Sequence, residues 1–223
     1  SAIEMAAVAN AAGLEPPPDG LRFPPCGADD LQTILTPQSD GGTLHGKGTV
    51  EVVSSLNRDG SQIQGHLRHG VYVTFETTND YSAQCLTEYG LKVNRTGRYA
   101  AFYRPYHLIG LELGISVASA VIRGESTGTP REWKADVVAI AKRNLQVGEI
   151  LDGEGGSTVW GKLLPARQSV HDGALPIGLS NGVKLQKSIP RGKAVHWRDV
   201  NVDTNLEAFK IRRIMEKTSL DDA

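Results

Sequence analysis

Short stretches with strand-like patterning alternate with helical ones in the first half of the chain. Residues 1–12 are rich in alanine and are followed by Gly13, a combination that predicts an N-terminal helix ending there. Strands are predicted over 49–53, 71–76 and 98–103, where β-branched and aromatic residues cluster or alternate with polar ones. A single opening helix buries little surface by itself, so it needs another element to pack on.

The spacing of apolar residues also predicts helices that cover this sheet. A short helix is expected over 29–35, and a long apolar helix from about Leu108 to Arg123. Residues 57–60 (Asn-Arg-Asp-Gly) carry a hairpin-type turn signal between two of the predicted strands. Together these elements predict an α+β fold, with a mostly antiparallel sheet covered by helices.

The patterning changes after a polar segment at 124–130 that contains glycine and proline, which predicts a domain border. Beyond it an internal repeat aligns residues 139–151 with residues 183–195 at a constant offset of 44 residues. Each copy shows a strand pattern, a glycine turn and a returning apolar residue. We therefore expect two hooks that pair about a pseudo-two-fold axis and share one small all-β core.

Apolar residues return at helical spacing over 206–217, which predicts an amphipathic C-terminal helix. The predicted division of the chain is an α+β domain over 1–125, a small all-β domain over 134–203, and a helix and tail over 204–223.

Composition and charge exclude several kinds of partner. Lys and Arg number 24 against 25 Asp and Glu, so no excess positive charge is present to neutralise a nucleic-acid backbone. The longest apolar stretch, 108–122, contains Glu112 and two glycines and is shorter than the roughly 20 residues that cross a bilayer. Cys26 and Cys85 match no metal or disulfide spacing, which predicts a reducing, cytoplasmic location. Neither nucleic acid nor a membrane is expected as a partner.

Two glycine-rich stretches lack the spacing of nucleotide-binding loops. In 41–48, Gly48 occupies the position at which a phosphate loop needs Ser or Thr for magnesium, and no apolar strand precedes it. The stretch 153–156 lacks the six-residue spacing of a dinucleotide fingerprint. The histidines form no cluster with metal-ligand spacing. We therefore predict no cofactor-binding or metal-ligating residue in this chain.

The segment 103–112 carries the densest chemistry, at a predicted junction between a strand and a helix. It combines the cation of Arg104, the imidazole of His107 and the carboxylate of Glu112, and such a junction can hold an anion. These three residues are predicted to bind substrate. The structural alternative is that Tyr106 and His107 cap the helix, while Glu112 pairs with a neighbouring strand or a second subunit.

A set of short motifs fills the last third of the chain: Val137-Val138-Ala139-Ile140-Ala141, Leu145-x-x-Gly148-Glu149-Ile150-Leu151 and Ile189-Pro190-Arg191-Gly192-x-x-Val195. With them, the stretch 135–203 resembles the SAF domain, a β-clip module related to type III antifreeze proteins and to the C-terminus of sialic acid synthase. Together with 103–108, 160–165 and 175–179, the whole chain resembles the C-terminal half of homoserine-dehydrogenase-like oxidoreductases that carry a SAF domain. One branch of these is 1-deoxy-D-xylulose 5-phosphate reductoisomerase-like (DXR-like).

This resemblance implies a function and several partners. It implies an NADPH-dependent oxidoreductase of isoprenoid biosynthesis that acts on a small, phosphorylated, sugar-like substrate with a divalent cation. NADPH would be bound by an N-terminal Rossmann domain that is missing from this chain, and the catalytic Lys/Asp chemistry expected there matches no position here. The resemblance further implies that 1–125 is a substrate and dimerisation domain, incomplete at its N-terminus, in a homodimer. By itself this chain is expected not to bind NADPH or turn over substrate.

The alternative is a non-enzymatic protein in which the SAF-like domain binds carbohydrate or acts as a scaffold. A sugar-like ligand would then contact the C-terminal domain, with Arg167, His171 and Lys184 as candidate contacts.

Overall fold

The computed structural model describes the backbone of residues 1–221 and the side chains of residues 1–218. The chain divides into two units. Residues 22–129 form the central unit, and residues 1–21 together with the chain from Pro130 onward form the terminal unit.

The predicted N-terminal helix is confirmed as α1 (Ala2–Ala12). Gly13 ends it with a φ of 69°, a left-handed conformation that glycine adopts without strain. The side chain of Asn10 accepts hydrogen bonds from the backbone N–H groups of Lys134 and Ala135, each at 2.8 Å. In the structure α1 therefore packs in the terminal unit, whereas the sequence placed it with the 1–125 segment; the predicted domain borders themselves stay a prediction.

The central unit contains a two-stranded antiparallel sheet with short helices. The sheet pairs β1 (Val71–Glu76) with β2 (Tyr99–Arg104), and its register runs from Val71 opposite Arg104 to Glu76 opposite Tyr99. The helices are α2 (Leu31–Ile34) and α3 (Asp80–Glu88). The core is a buried cluster against which Tyr72 packs: Cys26, Leu31, Leu35 and Leu67. The mixed α+β class is confirmed, but the sheet is smaller than predicted.

The strand predicted over 49–53 is not formed. Glu51 is buried, and its carboxylate accepts backbone N–H groups from Arg22 at 3.1 Å, Phe23 at 3.4 Å and Val52 at 2.9 Å. Its side chain thus occupies amide donors, including one within the predicted strand, that a sheet ladder would need. The chain here runs as irregular backbone instead.

Two further predictions in this unit need correction. Residues 57–60 do form a tight turn, but it closes on the isolated pair Leu56 and Gln62 rather than joining two strands of a sheet. The predicted helix over 108–123 begins only at Leu113. It consists of α4 (Leu113–Ala118) and a π-helical turn (Ser119–Arg123), and none of its residues is buried.

The terminal unit is built on a buried antiparallel strand pair. All seven residues of β3 (Ala135–Ala141) are buried, and β3 pairs with β4 (Val159–Pro165) from Ala135 opposite Pro165 to Ala141 opposite Val159. Around them lie α5 (Ala166–Asp172), β5 (Lys184–Leu185) paired with β6 (Val200–Asn201), and two 3₁₀ turns, Ile177–Leu179 and Trp197–Asp199.

The predicted pseudo-two-fold pairing of the repeat is confirmed by the backbone hydrogen bonds. Leu145 and Ile189, which are equivalent in the two copies, donate their N–H groups to each other's carbonyl oxygens at 2.9 and 3.0 Å. Three further backbone bonds each occur twice, once in each direction between the two copies. The N–H donor is named first in each pair of equivalent bonds: Gly192 to Ala141 is equivalent to Gly148 to Leu185, Ala141 to Lys193 is equivalent to Leu185 to Glu149, and Val195 to Ala139 is equivalent to Leu151 to Val183. Each hook therefore supplies the backbone hydrogen-bond partners of the other.

The predicted C-terminal helix is α6 (Glu207–Asp221), and the last two residues of the predicted 204–223 segment lie outside the described residues. A buried ion network fastens α6 to β3. The guanidinium of Arg212 donates to both carboxylate oxygens of Asp136, at 3.0 and 2.6 Å, and to Glu216 at 2.7 Å. It also lies over the ring of Trp133, 4.7 Å from the ring centre.

Candidate functional site

The end of β2 and the turn that follows it bring Arg104 and Glu112 together. Arg104 is the last residue of β2, and its guanidinium forms an ion pair with the Glu112 carboxylate. The same guanidinium lies over the ring of Tyr106, 4.6 Å from its centre. The cation is thus held between an aromatic face and a carboxylate, which fixes its position at the surface.

Glu112 closes the turn from its other side. Its carboxylate accepts the backbone N–H of Leu108 at 2.9 Å, while its own N–H donates to the Leu108 carbonyl at 3.0 Å. The hydrogen bond from Leu108, followed by the charge of Arg104, lowers the pKa of Glu112 below its usual value. The carboxylate is therefore ionised and anchors both the arginine and the turn.

His107 is oriented by a residue that precedes the neighbouring strand at the same end of the sheet. Its Nδ1 lies 2.8 Å from the carbonyl oxygen of His69, immediately before β1. A carbonyl only accepts, so Nδ1 carries the hydrogen in this contact and Nε2 keeps its lone pair. The ring can therefore exchange a proton at Nε2.

Each predicted site residue thus has a defined structural setting. Arg104 and Glu112 are paired, as the structural alternative foresaw for a neighbouring strand, and His107 lies on the same turn. The side chain of His107 does not cap the helix, because it bonds His69 and α4 begins after Glu112. Whether these three bind substrate stays a prediction.

The sequence did not single out His69 or the arrangement of Tyr106 under Arg104. A signal was available in the predicted strands over 71–76 and 98–103. Antiparallel pairing of those strands places the residues before the first beside the residues after the second. The contact of His69 with His107 follows from that register.

The paired side chains of Arg104 and Glu112 are open to solvent. The side chain of Arg104 is 51% exposed and that of Glu112 30% exposed. Among the described side chains, those of residues 1–218, no three His, Cys, Asp or Glu groups lie together in a way that could hold a metal ion. In the same part of the chain, no helix is long and apolar enough to cross a membrane.

Comparison with known families identifies the class of protein to which this chain belongs. The family model described as "Oxidoreductase DRL, catalytic domain" matches residues 1–113, just over half of the 223 residues and a span that includes Arg104, His107 and Glu112. The match defines the class as an oxidoreductase catalytic domain. The chain belongs to the oxidoreductase DRL catalytic-domain family. No curated protein matches the chain.

Proposed function

We propose that this chain is the substrate-binding part of an NADPH-dependent oxidoreductase that acts on a small, phosphorylated, sugar-like substrate, as in DXR-like reductoisomerases. The observation that carries the proposal is the Arg104–Glu112 turn with His107, which lies inside the segment matched by the oxidoreductase family. In such an enzyme NADPH, when bound, would supply a hydride to a carbonyl carbon whose oxygen takes up a proton, so that an alcohol and NADP⁺ would result.

Residues of this chain have two roles in the proposal. Arg104, oriented by Glu112 and Tyr106, holds an anionic group of the substrate, and a positioned cation reduces the entropy lost on reaching the reactive geometry. His107 exchanges a proton with the substrate at Nε2, because Nδ1 is engaged with His69.

The two glycine-rich stretches do not fit the pyrophosphate of NADPH. The stretch 153–156 follows Asp152, whose carboxylate accepts backbone N–H groups from Ser157 and Thr158 and so occupies donors that a pyrophosphate would need. The stretch 41–48 is irregular and opens no helix. We therefore propose that NADPH is bound outside this chain.

Two structural features support the finer parts of the proposal. The reciprocal hydrogen bonds of the two hooks are what a SAF-like β-clip would require. A homodimer is supported by the apolar surface of 108–122, where eight large apolar side chains are each at least 42% exposed. The location that we propose is the cytoplasm.

The test is an activity measurement on the protein as its source organism encodes it, after its intact mass and N-terminal sequence have been determined. We expect oxidation of NADPH, followed at 340 nm, that depends on 1-deoxy-D-xylulose 5-phosphate and a divalent cation. In that protein, Arg104→Gln should raise KM, whereas Arg95→Gln, another exposed arginine of the central unit, should not. Absence of substrate-dependent NADPH oxidation, or equal effects of the two variants, would contradict the proposal.

The non-enzymatic alternative makes the opposite prediction. A carbohydrate-binding or scaffolding protein would bind an unphosphorylated sugar and would not oxidise NADPH with any sugar phosphate.

A further inference from the structure

A cleft on the terminal unit has no part in the function proposed above. It has a volume of about 540 Å³, within the range of small-molecule sites, and lies between the end of α5, the 3₁₀ turn Trp197–Asp199 and α6. Its lining is rich in hydrogen-bond donors: His171, His196, Trp197, Arg198, Arg213 and Lys217. None of these residues lies in the segment 1–113 that the oxidoreductase family matches.

The floor of the cleft is rigid because Trp197 is held on several sides. Its indole N–H donates to Glu216 at 3.2 Å, and its backbone N–H donates to the carbonyl of Gly173 at 3.0 Å. The ring of Phe209 meets it edge-on with ring centres 5.4 Å apart, and the guanidinium of Arg213 lies 5.4 Å from its centre. Because Trp197 is already held in place, little conformational entropy is lost there when a ligand binds.

Of the two acidic residues that line the cleft, Glu216 is engaged by the protein itself. Glu216 accepts from Trp197 and Arg212 with one carboxylate oxygen and from Arg213 with the other. Its charge is therefore neutralised by two arginines. Asp172 is the other carboxylate in the lining.

His196 is oriented by a buried carboxylate beneath the cleft. Its Nδ1 lies 3.1 Å from Asp199, which also accepts the backbone N–H of His196 at 3.0 Å. The ring is thereby fixed with Nε2 as its remaining polar atom. Arg198 and Lys217 also line the cleft, and up to residue 218 the structure shows neither in an ion pair.

We propose that this cleft binds the phosphate group of a small phosphorylated metabolite. Arg198 and Lys217 supply the charge. Arg213, which Glu216 holds against the ring of Trp197, supplies a fixed guanidinium donor. The rings of Trp197 and His196 line the cleft beside these cations. The proposal concerns the terminal unit alone and does not depend on the oxidoreductase activity.

The test is a titration of this chain with inorganic phosphate, ribose 5-phosphate and ribose at constant ionic strength, followed by calorimetry and by NMR. The indole N–H signal of Trp197, assigned with Trp197→Phe, should shift with both phosphates and not with ribose. The double variant Arg198→Gln/Lys217→Gln should weaken phosphate binding by about tenfold, because two charge-assisted contacts are lost.

The matched control is Arg191→Gln/Lys193→Gln, which removes two exposed positive charges of the same unit outside the cleft. It should leave phosphate affinity within about twofold of the wild type, because distant exposed charges are screened. Equal losses in both variants, or no saturable phosphate binding, would overturn the proposal. Ribose binding as tightly as ribose 5-phosphate would also overturn it and would favour a carbohydrate site.

Discussion

Leu145 and Ile189 exchange both of their backbone hydrogen bonds, although 44 positions separate them in the sequence. The bonds on either side of this pair recur in each hook with equivalent partners. The pseudo-two-fold axis therefore passes through the Leu145–Ile189 pair, and a substitution at one position should have the same effect as one at its equivalent.

The glycines of the two hooks provide a direct test of this equivalence. Gly148 and Gly192 have φ values of 86° and 79°, and a methyl group at either would meet no atom closer than 3.9 Å. The cost of Gly148→Ala and of Gly192→Ala is therefore backbone strain alone, about 1–2 kcal/mol in each case.

Urea unfolding followed by tryptophan fluorescence is the measurement, because all three tryptophans lie in the terminal unit. Gly178→Ala is the control, since Gly178 has open space and no positive φ. A large difference between the two hook variants would contradict the equivalence.

Arg212 should be more important for stability than its neighbour Arg213. Arg212→Met leaves the buried carboxylates of Asp136 and Glu216 without their shared cation, which should cost about 3–5 kcal/mol. Arg213→Met removes a side chain that is 50% exposed and should cost less than about 1 kcal/mol. Tryptophan-detected urea unfolding again measures both, and similar costs would show that the buried network does not hold α6.

Glu51 and Glu76 should give the central unit opposite dependences on pH. Burial raises the pKa of Glu51 above its usual value, so its contribution to stability is fully present below the unfolded pKa and is lost as pH rises through the folded pKa. A hydrogen bond from Lys47 lowers the pKa of Glu76, so its contribution is present above the unfolded pKa and is lost as pH falls through the folded pKa.

The two glutamine variants separate these effects. The unfolding free energy of the wild type minus that of Glu51→Gln should decrease as the pH is raised from acidic to neutral. The unfolding free energy of the wild type minus that of Glu76→Gln should increase over the same pH range. Near-ultraviolet circular dichroism of tyrosine is the probe, because all six tyrosines lie in the central unit. Two differences of the same sign would refute the assignment.

Arg104 should affect ligand binding without affecting folding. Its ion pair with Glu112 is exposed and contributes little to stability, so Arg104→Gln should leave the unfolding midpoint of the central unit near that of the wild type. With the cleft of the terminal unit inactivated by Arg198→Gln/Lys217→Gln, affinity for 1-deoxy-D-xylulose 5-phosphate should fall about tenfold when Arg104→Gln is added, since a charge-assisted contact is lost. A calorimetric titration checks the affinity, and an unchanged value would remove Arg104 from the site.

The apolar segment 108–122 should hold two copies of the chain together. Ile109 and Leu111 are 84% and 80% exposed, so Ile109→Glu/Leu111→Glu disturbs no packing within one chain and should shift a dimer to monomers. Sedimentation equilibrium measures the mass, and Tyr89→Glu, at a residue 83% exposed outside the segment, is the control. A wild-type monomer, or a variant that remains dimeric, would exclude this interface.

Local patterning predicted some helices and strands well because residues close in sequence determine those elements. The alternation over 71–76 gives the bounds of β1, and alanines ending at glycine give α1. The repeat also predicted a long-range pairing, since two similar segments carry the same bonding requirements. That information is present in the sequence itself.

Patterning failed where a side chain from another segment takes over backbone donors. The strand expected over 49–53 is replaced because Glu51 captures the amides of Arg22 and Phe23, which no local periodicity shows. Within the predicted helix over 108–123, the Glu112 carboxylate bonds Arg104 of β2 and the N–H of Leu108, and α4 begins directly after Glu112. The contact of His107 with His69 follows from the register of β1 and β2, whereas the bond from Leu108 to Glu112 is not indicated by the patterning.

The side chain of Asn10 bonds Ala135 across 125 positions, so the terminal unit is assembled from both ends of the chain. A ribosome makes residues 22–129 before it makes the strands on which α1 packs, and early segments fold first during synthesis. The contacts of α1 with β3 can therefore form only after the intervening segment has been synthesised. We therefore expect the packing of α1 in the terminal unit to be a late step in the folding of this protein.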